Sequence, residues 1–136
     1  MNPALPVLLR VGAAGCLATS GVIHAQLYLN GYRVIPGIGP AFLAQASGSV
    51  AVALLLLITS AGVLRLAAAG LAAGALVGFI ASRTIGVLGF IEYGFQPAPQ
   101  ALISVLVEIA TLGLLAVALL DRTSTRRAFS PGNQEG

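Results

Sequence analysis

Three residues with acid–base chemistry, His24, Arg83 and Glu108, lie inside long apolar runs, with the amide Gln45 and the phenol Tyr28 at similar levels. Ionisable side chains in such surroundings are costly to bury, which makes them functional candidates by default. Each has polar company at helical spacing: Ser20, His24 and Tyr28 are four apart, Gln45 is followed by Gly48 and Ser49, and Ser104, Glu108 and Thr111 share a face. If these runs are helices, His24, Tyr28, Gln45, Arg83 and Glu108 form a polar cluster, with Arg83 and Glu108 at matching depth, roughly 12 Å from one membrane boundary at 1.5 Å per residue. That depth match predicts an Arg83–Glu108 pair. The pair has two readings: mutual neutralisation that sets helix register, or part of a ligand or proton site with His24 nearby.

Other chemistries find less support. One cysteine, Cys16, excludes an internal disulfide and reads as a small apolar filler. A zinc site needs three or four ligands, and His24, Glu108 and Cys16 have no motif spacing. One histidine per chain supplies bis-histidine haem ligation only in a dimer. No phosphate loop or nucleophile motif is present, so no catalytic residue and no metal site is assigned.

The elements that must position these groups follow from composition. Of 136 residues, 57% are hydrophobic and 8% charged, and the mean hydropathy is +0.96. A soluble domain carries about 25% charge. Seven basic and four acidic side chains cannot wet a surface of this size, so the apolar surface must face lipid. The formal charge of +3 comes from arginine alone, without a basic stripe that carries interleaved aromatics, which excludes a nucleic-acid partner.

Spanning a bilayer takes about 20 apolar residues in a helix. Four segments qualify, at about 5–29, 40–60, 66–90 and 100–120, predicting an all-α integral membrane four-helix bundle. Asn30-Gly31 ends the first, Pro40 opens the second, and Pro97 and Pro99 precede the fourth. The first segment is expected to stay as a helix: Arg10 leaves too short an apolar stretch ahead of Cys16 for a signal peptide. Residues 122–136 read as a polar cytoplasmic tail. With four spans, Arg10, Arg65, Arg122, Arg126 and Arg127 share one side and Arg33 the other. This bias predicts a multi-pass protein of the bacterial plasma membrane with both termini cytoplasmic. Tyr28, Tyr32, Phe90, Tyr93 and Phe95 read as an interfacial aromatic belt. In the third segment Gly70, Gly74, Gly78, Ser82 and Gly86 recur every four residues, predicting a flat ridge against which another helix packs closely.

The stretch from His24 to Tyr28, followed by residues 31–45, resembles small uncharacterised actinobacterial four-helix membrane proteins that are similar in outline to DoxX-like proteins. The resemblance covers about residues 10–120. It implies a redox-associated role, with quinone as the cofactor class and other membrane proteins as partners, and it transfers no catalytic residue. Three functions follow as expectations. The first is a non-enzymatic accessory or interaction subunit of an envelope or respiratory assembly, partnered by other chains or by copies of itself. The second is a small-ligand or quinone site in the outer half. The third is an oligomeric proton-coupled transporter.

Overall fold

The computed structural model describes residues 2–128, and those residues are all helical apart from turns and loops. The elements are α1 (Leu5–Leu29), a 3₁₀ turn (Tyr32–Val34), α2 (Ile38–Ile58), α3 (Gly62–Thr84) and α4 (Gln100–Ala128). All four helices are long and apolar enough to cross a membrane, so the chain is a multi-pass membrane protein. Each helix packs on its neighbours in chain order and α4 returns to α1, closing a ring. One end of the bundle carries the 31–37 and 85–99 loops, here the loop end. The other carries the α2–α3 connection and the outer ends of α1 and α4, here the terminal end.

α1 is the hub. About 39% of its most apolar window is buried, against 11% for α3 and for α4. Close approach is bought by small residues: Ala13, Ala14, Ala53, Ala68 and Ala72 are buried, interleaved with Leu17 and Leu56. A Cβ on Gly21 would lie 2.8 Å from the Val50 side chain and 3.1 Å from the Ala46 carbonyl, and one on Gly12 would lie 3.2 Å from Leu114. At these two glycines α2 and α4 pack tightly against α1. Large apolar side chains such as Ile58, Val77, Ile80, Leu106 and Leu119 point outward, as lipid requires and water would penalise.

Most of the α3 ridge faces outward from this chain. Cβ atoms built on Gly70, Gly74 and Gly78 meet nothing within 4 Å, so no helix among the described residues covers them. Ser82 is buried, and Gly86 lies beyond the helix.

α3 also ends earlier than hydropathy suggests. Residues 85–91 continue the apolar run, but Gly86, Leu88 and Gly89 have φ of 78°, 50° and 82°, a conformation that stops a helix. Val87 and Phe90 exchange backbone hydrogen bonds of 2.9 and 2.8 Å across the resulting tight turn. The opposite holds for α4. Its helix runs through Ala128 instead of stopping near Leu120, because polar residues do not themselves break a helix and no Gly or Pro occurs from 114 to 128. Arg126 and Arg127 in its last turn favour the helix dipole. Of the tail expected at 122–136, residues 122–128 are therefore helical, and 129–136 lie outside the described residues.

Candidate functional site: a polar cavity at the loop end

A cavity of about 200 Å³ sits inside the loop end, bordered by all four helices and both loops. His24 comes from α1, Phe42 and Gln45 from α2, Gly74, Gly78 and Phe79 from α3, and Ala101 and Ser104 from α4, with Tyr32, Phe90 and Glu92 from the loops.

Its aromatic wall is continuous. The Phe42 ring stands 5.1 Å from His24 and 4.6 Å from Tyr32, and Tyr32 meets Phe90 edge-on at 5.6 Å. Tyr32 and Phe90, read from sequence as interfacial, are half-buried and pack against the cavity wall. Tyr93 and Phe95 are exposed.

Arg83 closes the cavity from the loop side. Its Nη1 pairs with Glu92 Oε2 at 3.0 Å and donates to Ser82 Oγ at 2.6 Å. Its Nε donates to the Gly94 carbonyl at 2.8 Å, and its Nη2 to the Gln96 carbonyl. The guanidinium also lies 3.8 Å above the Phe79 ring. Tyr32 donates its hydroxyl proton to the other Glu92 oxygen. One arginine therefore pins the 85–99 loop over the bundle and neutralises its acid, and the Glu92 N–H adds a 2.9 Å bond to the Ser82 carbonyl. Burial, reinforced by the Glu92 hydrogen bond, pushes the Tyr32 phenol above the usual tyrosine range.

The expected Arg83–Glu108 pair is not formed. Arg83 sits at the last turn of α3, where the chain turns back and brings Glu92 to it. Glu108 is 1% exposed in the bundle interior, where its Oε1 accepts from the Ser20 hydroxyl and its Oε2 has no hydrogen-bond partner. Ser20 also links to His24. The His24 Nδ1 lies 2.9 Å from the Ser20 carbonyl, and a carbonyl only accepts, so Nδ1 carries the proton. That leaves Nε2 as the nitrogen available to a ligand. The sequence His24, Ser20, Glu108 is a line of polar groups from the cavity wall to the bundle interior.

Of the residues singled out from sequence, the structure brings His24, Gln45 and Arg83 to the cavity, together with Gly74, Gly78 and Ser82. Glu108 lies behind His24 through Ser20. Tyr28, Gly70 and Gly86 do not line the cavity. Gln45 bridges α2 to α3 by donating to the Leu71 carbonyl at 3.0 Å. Glu92 and Ser20 are the groups sequence reading missed as partners. The signal for Glu92 was its place as the one acid in the third loop, nine residues from Arg83.

Chemically, the cavity offers aromatic walls, an imidazole, an amide and an internally neutralised ion pair. Among the described residues, no three His, Cys, Asp or Glu side chains converge as metal ligands. Against protein-family models, curated proteins and solved structures, the chain finds no match.

Proposed function

We propose that the loop-end cavity holds the ring-sized head group of a neutral, membrane-dissolved molecule. The observation that carries this reading is one cavity of about 200 Å³ in which His24 and Gln45 stand among Phe42, Phe79, Phe90 and Tyr32. An apolar cavity of about 150 Å³ accommodates benzene, so this one suits a single ring with polar substituents. Arg83 and Glu92 neutralise each other, which favours an uncharged ligand. Gly74 and Gly78 line the cavity and carry no side chain to seal it, which leaves room for an apolar tail along the exposed face of α3. Quinones are the ligand class that fits, as the DoxX-like resemblance also implies. In this reading Phe42 and Phe79 flank the ring, and once the ring is reduced its hydroxyls donate to His24 Nε2 and Gln45 Oε1, which both accept.

Five arginines at the terminal end, against Arg33 and the paired Arg83 at the loop end, support cytoplasmic termini in a bacterial plasma membrane. The cavity then serves the outer leaflet. A second reading, an accessory subunit docked to another chain, is favoured by the uncovered Gly70–Gly74–Gly78 face. A partner helix there would seal the side of the cavity.

Titration of the purified protein with decylubiquinone, followed by quenching of tyrosine fluorescence, tests the ligand reading. Wild type should bind saturably. Gly78→Leu, which places a side chain in open space beside the cavity, should lower affinity at least tenfold while keeping its melting temperature. Equal binding by both proteins excludes the cavity as the site.

A further inference from the structure

The terminal end carries a second concave feature that the loop-end cavity does not involve. A cavity of about 190 Å³ is lined by Arg10 of α1, Arg65 of α3 and Arg122 of α4, with Ser60 and Asp121 beside them. Three positive charges thus face one negative charge. Among the described residues the ion pair is Arg83–Glu92, at the other end, so none of these three arginines is neutralised by a carboxylate within contact distance. Arg65 Nη2 donates to the Ser60 carbonyl at 2.6 Å, and Arg10 Nε is buried without a hydrogen-bond partner. A buried guanidinium N–H left unpaired beside two like charges is unfavourable unless an anion completes it.

Directly alongside, and sharing Arg65, Leu115 and Arg122 with this cavity, lies a groove of about 490 Å³ between α3 and α4. Its walls are apolar, including Leu66, Leu112 and Leu119, and Arg126 lines it too. A cationic cup opening into an apolar groove has the shape of one amphipathic ligand. We propose that this end of the bundle is a binding site for an anionic phospholipid. Its phosphate sits among Arg10, Arg65 and Arg122, and an acyl chain lies along the α3–α4 groove. Guanidinium forks match phosphate oxygens, and basic pockets between membrane helices suit anionic head groups. The groove is what distinguishes a lipid from free phosphate, which has no use for it.

Native mass spectrometry of the protein in detergent tests the site with dioleoylphosphatidylglycerol, dioleoylphosphatidylcholine and inorganic phosphate as separate probes. Wild type should retain the anionic lipid at least tenfold better than the zwitterionic one. Each of Arg10→Gln and Arg122→Gln should lower that preference about fivefold, the equivalent of about 1 kcal/mol per basic residue at a membrane surface. Arg33→Gln, at the loop end, should leave it unchanged. Because the preference is a ratio within one protein, loss of stability in a variant cancels. Ala116→Trp, which fills the groove without touching charge, should reduce lipid retention as well. Equal retention of the two lipids overturns the proposal. Inorganic phosphate that binds as tightly as the anionic lipid and displaces it overturns the assignment to a lipid.

Discussion

The two ends of this bundle treat arginine in opposite ways. At the loop end Arg83 spends its donors on Glu92, Ser82 and two loop carbonyls, and the result is a neutral lid over one side of a cavity. At the terminal end Arg10, Arg65 and Arg122 line a cavity with Asp121 as its one acid, and the result is a cationic cup. The same side chain serves as internal structure where the chain folds back a carboxylate, and as an offer to something external where it does not. What separates the two is the loop. Residues 85–99 supply Glu92 and the accepting carbonyls at one end, whereas the α2–α3 connection is only Thr59-Ser60-Ala61 and contributes a single carbonyl to Arg65.

The largest effect that separates the ends is expected from Arg83. Arg83→Met leaves Glu92 and the loop carbonyls without their donor, and breaking this partly exposed pair costs up to about 3 kcal/mol, the lower end for a fully buried one. Chemical unfolding in detergent should show this loss, with partial recovery in the double variant Arg83→Met with Glu92→Met. Arg65→Gln should cost under about 1 kcal/mol. Equal costs at both ends erase the distinction. A cycle between Arg83 and Glu108 should show coupling near zero, since the two do not meet.

A smaller effect separates glycines at a contact from glycines in the open. Gly21→Ala forces a methyl to 2.8 Å from Val50 and 3.1 Å from the Ala46 carbonyl, and overpacking of this kind costs about 1–3 kcal/mol. Gly70→Ala meets nothing, so it should stabilise α3 by up to about 1 kcal/mol through helix propensity. Loss of stability at Gly70 in the isolated chain means that a neighbour covers the ridge.

The smallest effect is in pH. Because the Tyr32 phenol is raised by burial and by Glu92, its stabilising hydrogen bond is fully present below the ordinary tyrosine value of about 10 and is lost as pH rises through its folded value. Tyrosinate absorbance should show one late-titrating group that disappears in Tyr32→Phe.

Hydropathy alone made the four spans legible, and α1 begins and ends where apolar content and Asn30-Gly31 place it. The end of α3 was hidden because Val87, Leu88, Phe90 and Ile91 look like more of the same span, while backbone conformation at Gly86 and Gly89 ends it. That displacement of six residues moved Arg83 from apparent mid-membrane to a helix end, and with it went the logic that paired it with Glu108. His24 and Gln45 were legible as inward-facing residues, and they line the loop-end cavity, because a polar side chain on an apolar helix face has few places to go. Ser20 as the partner of Glu108 depends on the rotation of α1 against α4, which no spacing in either helix encodes. The ridge was legible as a pattern but not as a contact, because whether small residues meet a neighbour is decided by the other helices.

The division between a neutral site at the loop end and a cationic site at the terminal end is tested most directly by mapping where a ligand lands. A photoreactive azidoquinone irradiated with the purified protein should label peptides containing Phe42–Gln45 and Gly74–Phe79, and excess decylubiquinone should suppress that labelling. Suppressible label confined to residues 112–126, or label that no excess of quinone suppresses, contradicts a ligand cavity at the loop end.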